Sequence, residues 1–272
     1  MRAVLDLPAS LAERARAWLV EPGEVAPARD AATVVLLRDG AAGLEVYLLR
    51  RVAAMPFAPG MHVFPGGAVD PRDDSPDTAW AGPSAAQWGR ELGCGENLAR
   101  ALVCAAVRET FEESGVLLAG SSADELVTDA TGPGWERDRR ALLTRETSIA
   151  ELLDVRRLVL RSDLLRAWAH WVTPEFELRR FDTRFLVAAL PAGQRARDVS
   201  GEADRAEWVP VRSAVEEHDA GRMAMLPPTI AVLRDVDQPD VAAVLATPRQ
   251  VRRLLPRLVE TAGTLSLEIE SA

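Results

Sequence analysis

The alternation of apolar and polar positions predicts strands and helices that follow one another without an internal repeat. A β-branched apolar run at residues 32–37 and the segment LEVYLL at 44–49 predict the two strands of a hairpin-like pair, because Gly40 and Gly43 lie between them. Further strands are predicted at 61–64, 168–172, 181–190, 206–209 and 264–269. A mixed sheet with packed helices, an α/β (α+β) fold, is the class that this order favours.

Helical patterns lie between and around these strands. They predict an N-terminal helix at 7–20, a strong helix from 98 to 114 that ends at Gly115, and a helix at 211–219 opened by Pro210. Prolines and glycines interrupt residues 70–97, which we interpret as an insertion holding a short helix near 84–92. A mostly helical insertion at 122–165 and a C-terminal helical extension at 227–272 complete one predicted domain, 1–272.

Composition narrows the classes of function. With 48% hydrophobic residues the 272-residue chain has enough apolar side chains for a large core. Its 32 basic residues are all arginine and its 41 acidic residues leave a net charge of -9, so the sequence argues against a nucleic-acid scaffold or an anionic-membrane binder. We therefore expect a cytoplasmic protein with a small-molecule ligand, and leave a homodimer open.

The helix predicted at 98–114 carries the candidate chemistry. At 100° per residue, Glu112 and Glu113 lie roughly 60° and 40° to either side of Glu109, so three carboxylates share one face while Val107 and Phe111 lie on the other. The pattern predicts an apolar face toward the core and an exposed acidic face. A solvated surface and a metal site both remain open, and oxygen ligands alone would suit Mg²⁺ or Mn²⁺.

The surrounding residues favour the metal site. Gly66 and Gly67 upstream, with RETFEESG at 108–115, resemble the box of the Nudix hydrolases, G-x5-E-x7-R-E-U-x-E-E-x-G-U, where U is a bulky aliphatic residue. The resemblance implies a Nudix-type α/β/α sandwich and metal-dependent hydrolysis of the diphosphate bond in a nucleoside diphosphate derivative. The two glycines would let the loop fold against the helix.

The resemblance also assigns roles on that helix. It implies that Glu112 and Glu113 are metal ligands, that Glu109 is a further ligand or a supporting acid, and that Arg108 orients the carboxylates. Thr110 stands where an aliphatic residue is usual.

The box departs from the usual spacing. Gly67 and Arg108 lie 41 positions apart where the ordinary box has 14, so about 27 residues are inserted. The first glutamate of the box is missing: Arg100 lies eight residues before Arg108, and Asp73 lies six after Gly67. Asp73, Glu96 or no residue at all could replace it.

A split box and the segment APGMHVFPGG at 58–67 resemble the peroxisomal coenzyme A diphosphatase branch and its bacterial relatives, as do WVTPE at 171–175 and RRFDTRF at 179–185. Coenzyme A or an acyl derivative is the implied substrate. The arginine expected four residues before Gly60 is Pro56, and Arg50 and Arg51 could bind the phosphates instead.

Three further choices stay open. Glu202 is our first choice for a general base or an additional ligand, ahead of Asp204 and Glu207, which precede Trp208 in the same segment. The substrate could instead be ADP-ribose or a nucleotide sugar, since the diphosphate chemistry is shared. A non-catalytic nucleotide-sensing module ranks last, because all three glutamates of the helix are intact.

Overall fold

The structure is a computed structural model and describes residues 2–7, 9–52, 58–197, 203–261 and 263–270. Within those residues the strands are β1 Arg2–Asp6, β2 Ala28–Gly40, β3 Gly43–Arg51, β4 His62–Val63, β5 Gly66–Ala68, β6 Trp80–Ala81, β7 Ala119–Gly120, β8 Val159–Arg161, β9 Leu165–Val172, β10 Arg180–Ala189, β11 Ala203–Pro210, β12 Arg253–Leu254, β13 Arg257–Thr261 and β14 Thr264–Glu270. The helices are α1 Ala9–Val20, α2 Ala85–Leu92, α3 Glu96–Ser114, α4 Pro133–Leu143, α5 Ile149–Arg156, α6 Val211–Asp219, α7 Pro227–Val236 and α8 Val241–Ala246. Short 3-10 turns occupy Pro71–Asp73 and Ser162–Leu164.

The central sheet is mixed, as predicted. Its order is β11-β3-β2-β10-β9-β12, with β4 added to β3 and β5 added to β2. The long pair β2 and β10 is parallel, whereas β2 and β3 form the predicted antiparallel pair around Gly40 and Gly43.

Helices cover both faces of this sheet and give the predicted α/β/α sandwich. Val34 and Leu36 of β2 pack into one core with α2, α3 and α5, and Val35 and Leu37 pack into the other with α6, α7 and α8. Because successive side chains of a strand point to opposite faces, a continuous apolar run is what a strand buried on both sides requires.

Helix α3 is the most buried long element. Small alanines, among them Ala101 and Ala105, allow close packing against α2 and the sheet, and Gly115 ends the helix in the left-handed conformation with φ 70°. The expected exposed acidic face is wrong: Glu112 and Glu113 are 6% and 8% exposed. Helical periodicity identified the face correctly but could not show that the glycine turn and the inserted segments cover it.

The chain ends meet in a separate small sheet, ordered β1-β14-β13, against which α1 packs through Leu11 and Trp18. The predicted last strand is confirmed by β14. The prediction of a helical extension over all of 227–272 is wrong beyond Ala246, because alternating residues such as Leu265 and Leu267 bury one side of a β-hairpin instead.

In the described residues the two insertions hold three helices and, with β7 just before the second insertion, a third small sheet. Strands β6, β7 and β8 form the sheet, and the side chain of Ser84 caps α2, the predicted short helix. The insertion at 122–165 is only partly helical, since α4 and α5 occupy its middle and β8 lies near its end. Among the described residues, no helix combines the length and apolarity needed to cross a bilayer.

Candidate active site

The glycine turn lies directly against helix α3. β5 pairs with β2 so closely that a Cβ on Gly66 would lie 2.6 Å from the Ala32 carbonyl oxygen. A Cβ on Gly67 would lie 2.4 Å from Glu109 Oε1. Only glycine allows this approach, so the two residues bring backbone and the acidic helix face together.

The three glutamates of α3 take different partners. The Gly66 backbone N–H donates to Glu113 Oε2 over 2.8 Å, which fixes one oxygen of that carboxylate against the turn. Arg108 Nη1 donates to Glu109 Oε1 over 2.7 Å and to Glu112 Oε1 over 3.3 Å. The three carboxylates are therefore held in place by one backbone amide and one guanidinium.

Arg108 is bound on every side. Its Nε and Nη2 each donate to Asp73 over 3.0 Å, and Nη2 also donates to the Ala68 carbonyl over 3.1 Å. Asp73 is 1% exposed. Of the alternatives for the missing box glutamate, the structure thus brings Asp73 to the box arginine, whereas Glu96 is exposed and lies 3.6 Å from Arg100 at the start of α3.

A buried arginine from the first helix of the second insertion supports the end of α3. Arg139 is 4% exposed, and its Nη1 donates to the Glu112 carbonyl oxygen over 2.8 Å. The last four carbonyl groups of a helix lack partners within the helix. Arg139 supplies one such partner and so fixes the turn of α3 that carries Glu112 and Glu113.

The electrostatics of the helix face favour a cation. The pKa of Glu112 is raised to about 7, chiefly because the carboxylate is buried; the negative charge of Glu109 acts in the same direction and Arg108 acts against both. The ionised form of Glu112 is therefore disfavoured as the site stands. A doubly positive ion beside it would stabilise that form.

No group of three or more His, Cys, Asp or Glu side chains is already arranged as a metal site within the described parts of the chain. The donor set nevertheless fits a divalent cation, because it consists of hard carboxylate oxygens and burial disfavours the ionised form of Glu112 without a cation beside it.

The same residues line a cavity of about 450 Å³. One part of the lining, called the charged end, consists of Gly66, Gly67, Arg108 and the three glutamates of α3. Another part, called the apolar end, consists of apolar side chains from distant parts of the chain, which are Leu11, Trp171, Phe181, Leu226, Pro256 and Leu267. The segments 171–175 and 179–185, noted in the sequence, both contribute to this wall.

Arg50 and Arg51, both predicted to bind phosphates, lie on different sides of the sheet. Arg51 lines the cavity, but Arg50 donates to Asp204 over 2.6 and 2.9 Å at the surface and does not line it. The hairpin pairing explains this, because successive side chains on β3 point to opposite sides of the sheet. Glu202 lies outside the described residues. Arg180 is 8% exposed and donates to the Ala26 carbonyl oxygen over 2.8 Å.

Several cavity residues were not found from the sequence. Arg29, Arg145 and Glu177 all line the cavity. Glu177 falls between two segments that resembled known relatives, which was a usable signal. Arg29 and Arg145 carry none, because each stands among other surface charges and its position depends on how a distant segment packs.

Comparison with known proteins agrees with this geometry. The crystal structure of a Nudix hydrolase from Alicyclobacillus acidocaldarius is 29% identical and superposes with a TM-score of 0.69, covering 84% of this chain and 99% of that one. With the sandwich and the box, this likeness defines the class as Nudix.

Comparison of sequences identifies the family within the Nudix class. The family described as the NUDT19 Nudix domain matches residues 89–236, more than half of the chain. The chain belongs to this family. Putative nudix hydrolase 7 of Caenorhabditis elegans is 30% identical over 194 residues, which are 71% of this chain and 56% of that protein. Acyl-coenzyme A diphosphatase NUDT19 of Xenopus laevis is 26% identical over 221 residues, covering 68% of this chain and 57% of that protein. The chain thus spans little more than half the length of these curated relatives.

Proposed function

We propose that this chain hydrolyses a diphosphate bond in a nucleoside diphosphate derivative, with coenzyme A or an acyl-coenzyme A as the substrate. The observation that carries the proposal is one cavity in which the glycine turn and the three glutamates of α3 meet. A cavity of about 450 Å³ falls in the usual range for small-molecule sites. The name of the Xenopus laevis relative supports the substrate class.

Glu112 and Glu113, helped by Glu109, are the residues proposed to hold Mg²⁺ or Mn²⁺. Such an ion, when bound, would polarise the diphosphate and stabilise the negative charge that develops during its cleavage. The relatives belong to a class that generally uses divalent metals.

The chain's own residues supply orientation. The Gly66 amide holds one oxygen of Glu113, which leaves the orientation of that carboxylate fixed before substrate arrives. Asp73 and the Ala68 carbonyl hold Arg108, so this guanidinium positions Glu109 and Glu112 rather than binding substrate. Glu202 remains our proposed general base, and Glu202→Gln should lower kcat without weakening substrate binding.

The apolar wall of the cavity suits the part of the substrate that carries no phosphate. Trp171, Phe181 and Leu226 offer contact to a chain of methylene groups and amides, such as pantetheine or an acyl tail. A short polar sugar would leave these side chains facing water. This difference favours coenzyme A derivatives over ADP-ribose or a nucleotide sugar.

A substrate panel tests the proposal. Purified chain with Mg²⁺ or Mn²⁺ would be given coenzyme A, a long-chain acyl-coenzyme A, ADP-ribose and a nucleotide sugar, and products would be separated by chromatography. We expect adenosine 3',5'-bisphosphate and a phosphopantetheine from the first two. Faster cleavage of ADP-ribose would move the assignment to that class, and no turnover of any diphosphate would support a nucleotide-sensing module.

A further inference from the structure

The loop that follows α4 holds an arginine in a backbone conformation that arginine rarely adopts. Arg145 has φ 59°, in the left-handed region, where a Cβ clashes with the neighbouring carbonyl and glycine is the usual residue. Its N–H donates to the Leu142 carbonyl over 2.9 Å. A strained conformation of this kind persists only where surrounding contacts fix it.

Contacts from the box segment do fix it. Arg72, in the turn that also carries Asp73, donates from Nη1 to the carbonyl oxygens of Arg145 over 3.0 Å and of Thr147 over 3.4 Å. The second insertion is thereby tied to the segment that follows the glycine turn. The position of Arg145 relative to the charged end of the cavity is set by these bonds.

The side chain of Arg145 is left available. It lines the cavity, is 75% exposed, and its one ion pair among the described residues is a 3.8 Å approach of Nε to Asp70 Oδ2. That distance is too long for a hydrogen bond. Asp70 already accepts hydrogen bonds from the backbone and the side chain of Arg72, so it offers Arg145 little.

Arg108, the arginine of the box, has no donor left to bind a substrate phosphate. Asp73, Glu109, Glu112 and the Ala68 carbonyl occupy the donors of Arg108. An anionic substrate that enters the cavity therefore needs another guanidinium, and the planar fork of arginine matches phosphate oxygens in pairs.

From these observations we infer that Arg145 binds a phosphate group of the substrate and contributes to the choice of substrate. The inference rests on the proposed function and extends it, since it gives the second insertion a direct contact with the ligand. Coenzyme A carries two sources of this chemistry, the diphosphate and the 3'-phosphate, and the measurements below distinguish them.

The same insertion offers a matched control. Arg157 is also exposed and also left-handed, with φ 54°, at the end of α5, but it does not line the cavity. Asparagine tolerates the left-handed conformation better than most residues. Arg145→Asn and Arg157→Asn therefore remove the same charge from the same kind of backbone, in and out of the cavity.

The first measurement is calorimetric binding of inorganic diphosphate to the full chain in the presence of Mg²⁺. We expect Arg145→Asn to weaken Kd about 10-fold, since a charge-assisted bond is lost, and Arg157→Asn to leave Kd unchanged. Arg145→Lys should restore part of the affinity. Two results would each overturn the inference, provided that Arg145→Asn also leaves turnover of coenzyme A unaffected. One is an equal Kd for wild type and Arg145→Asn, and the other is that wild type does not bind diphosphate.

The second measurement compares kcat/KM for coenzyme A and 3'-dephospho-coenzyme A. A loss with both substrates assigns Arg145 to the diphosphate, and a loss with coenzyme A alone assigns it to the 3'-phosphate. If wild type turns over neither substrate but Arg145→Asn still weakens diphosphate binding, the proposed function fails and the role of Arg145 stands.

Discussion

The two ends of the cavity are built in opposite ways. The charged end draws its glycines and glutamates from two short segments, 66–67 and 109–113, and hydrogen bonds fix each carboxylate. The apolar end is walled by Leu11, Trp171 and Leu267, which come from helix α1, the central sheet and the terminal strand. The charged end is therefore built from two short segments that a long-range contact joins, whereas the apolar wall is assembled from three elements spread along the chain.

Asp73→Asn should give the largest effect on stability at the charged end. It removes one member of a buried ion pair and leaves Arg108 with an uncompensated charge, so we expect a loss of about 3 kcal/mol or more. Urea unfolding followed by tryptophan fluorescence measures it. Glu96→Gln, at the exposed start of the same helix, is the control, and an equal loss there would refute the choice of Asp73 over Glu96 as the partner of Arg108.

Glu113→Gln should lower kcat about 100-fold or more with little change in stability. The amide oxygen can still accept the hydrogen bond from Gly66, while the negative charge is lost. Steady-state kinetics and a thermal melt measure the two effects, again with Glu96→Gln beside it. Near-normal kcat would remove Glu113 from the proposed ligands.

The two glycines should separate stability from activity. In Gly66→Ala the new Cβ meets backbone at Ala32, which cannot move easily, so we expect about 2 kcal/mol of destabilisation. In Gly67→Ala the Cβ meets the carboxylate of Glu109, which can rotate away. Turnover should then fall more than stability. Unfolding and kinetic data for both variants check this, and a stable, active Gly66→Ala would show that the turn tolerates a wider spacing.

Asp70 should make a smaller contribution that depends on pH. The hydrogen bond from Arg72 lowers the pKa of Asp70 to about 2, below its usual value of 3.8. A lowered pKa means that the ionised form stabilises the fold, fully above about pH 4 and decreasingly as pH falls toward 2. The free energy of unfolding of wild type should therefore exceed that of Asp70→Asn by on the order of 1 kcal/mol at neutral pH. Unfolding measured at pH 7 and at pH 2 tests this, and a difference in the free energy of unfolding that stayed the same at pH 2 would contradict this account.

Leu11→Ala should have the smallest effect and should act only at the apolar end. Removing apolar surface from the wall should raise KM for a long-chain acyl-coenzyme A a few-fold more than KM for coenzyme A. The exposed Leu178, which does not line the cavity, gives the control Leu178→Ala. Equal changes for both substrates would indicate that the acyl group binds elsewhere.

Local signals in the sequence were enough for the main strands, for α3 and for the residues of its acidic face. Periodicity placed Glu109, Glu112 and Glu113 together, and Gly115 marked the end of the helix, because both depend on backbone geometry within a few residues. The spacing from Gly67 also marked Asp73 as a replacement for the missing box glutamate, with Glu96 or no replacement at all as the alternatives.

Tertiary structure alone decided which of those candidates meets Arg108 and where the surrounding arginines point. Asp73 reaches Arg108 across 35 residues, and Arg72 holds Arg145 across 73. Contacts over such distances in sequence depend on how whole segments pack, and no local pattern of side chains encodes them. The same reason explains why the acidic face was expected in solvent but lies buried, and why the two chain ends meet beside the cavity.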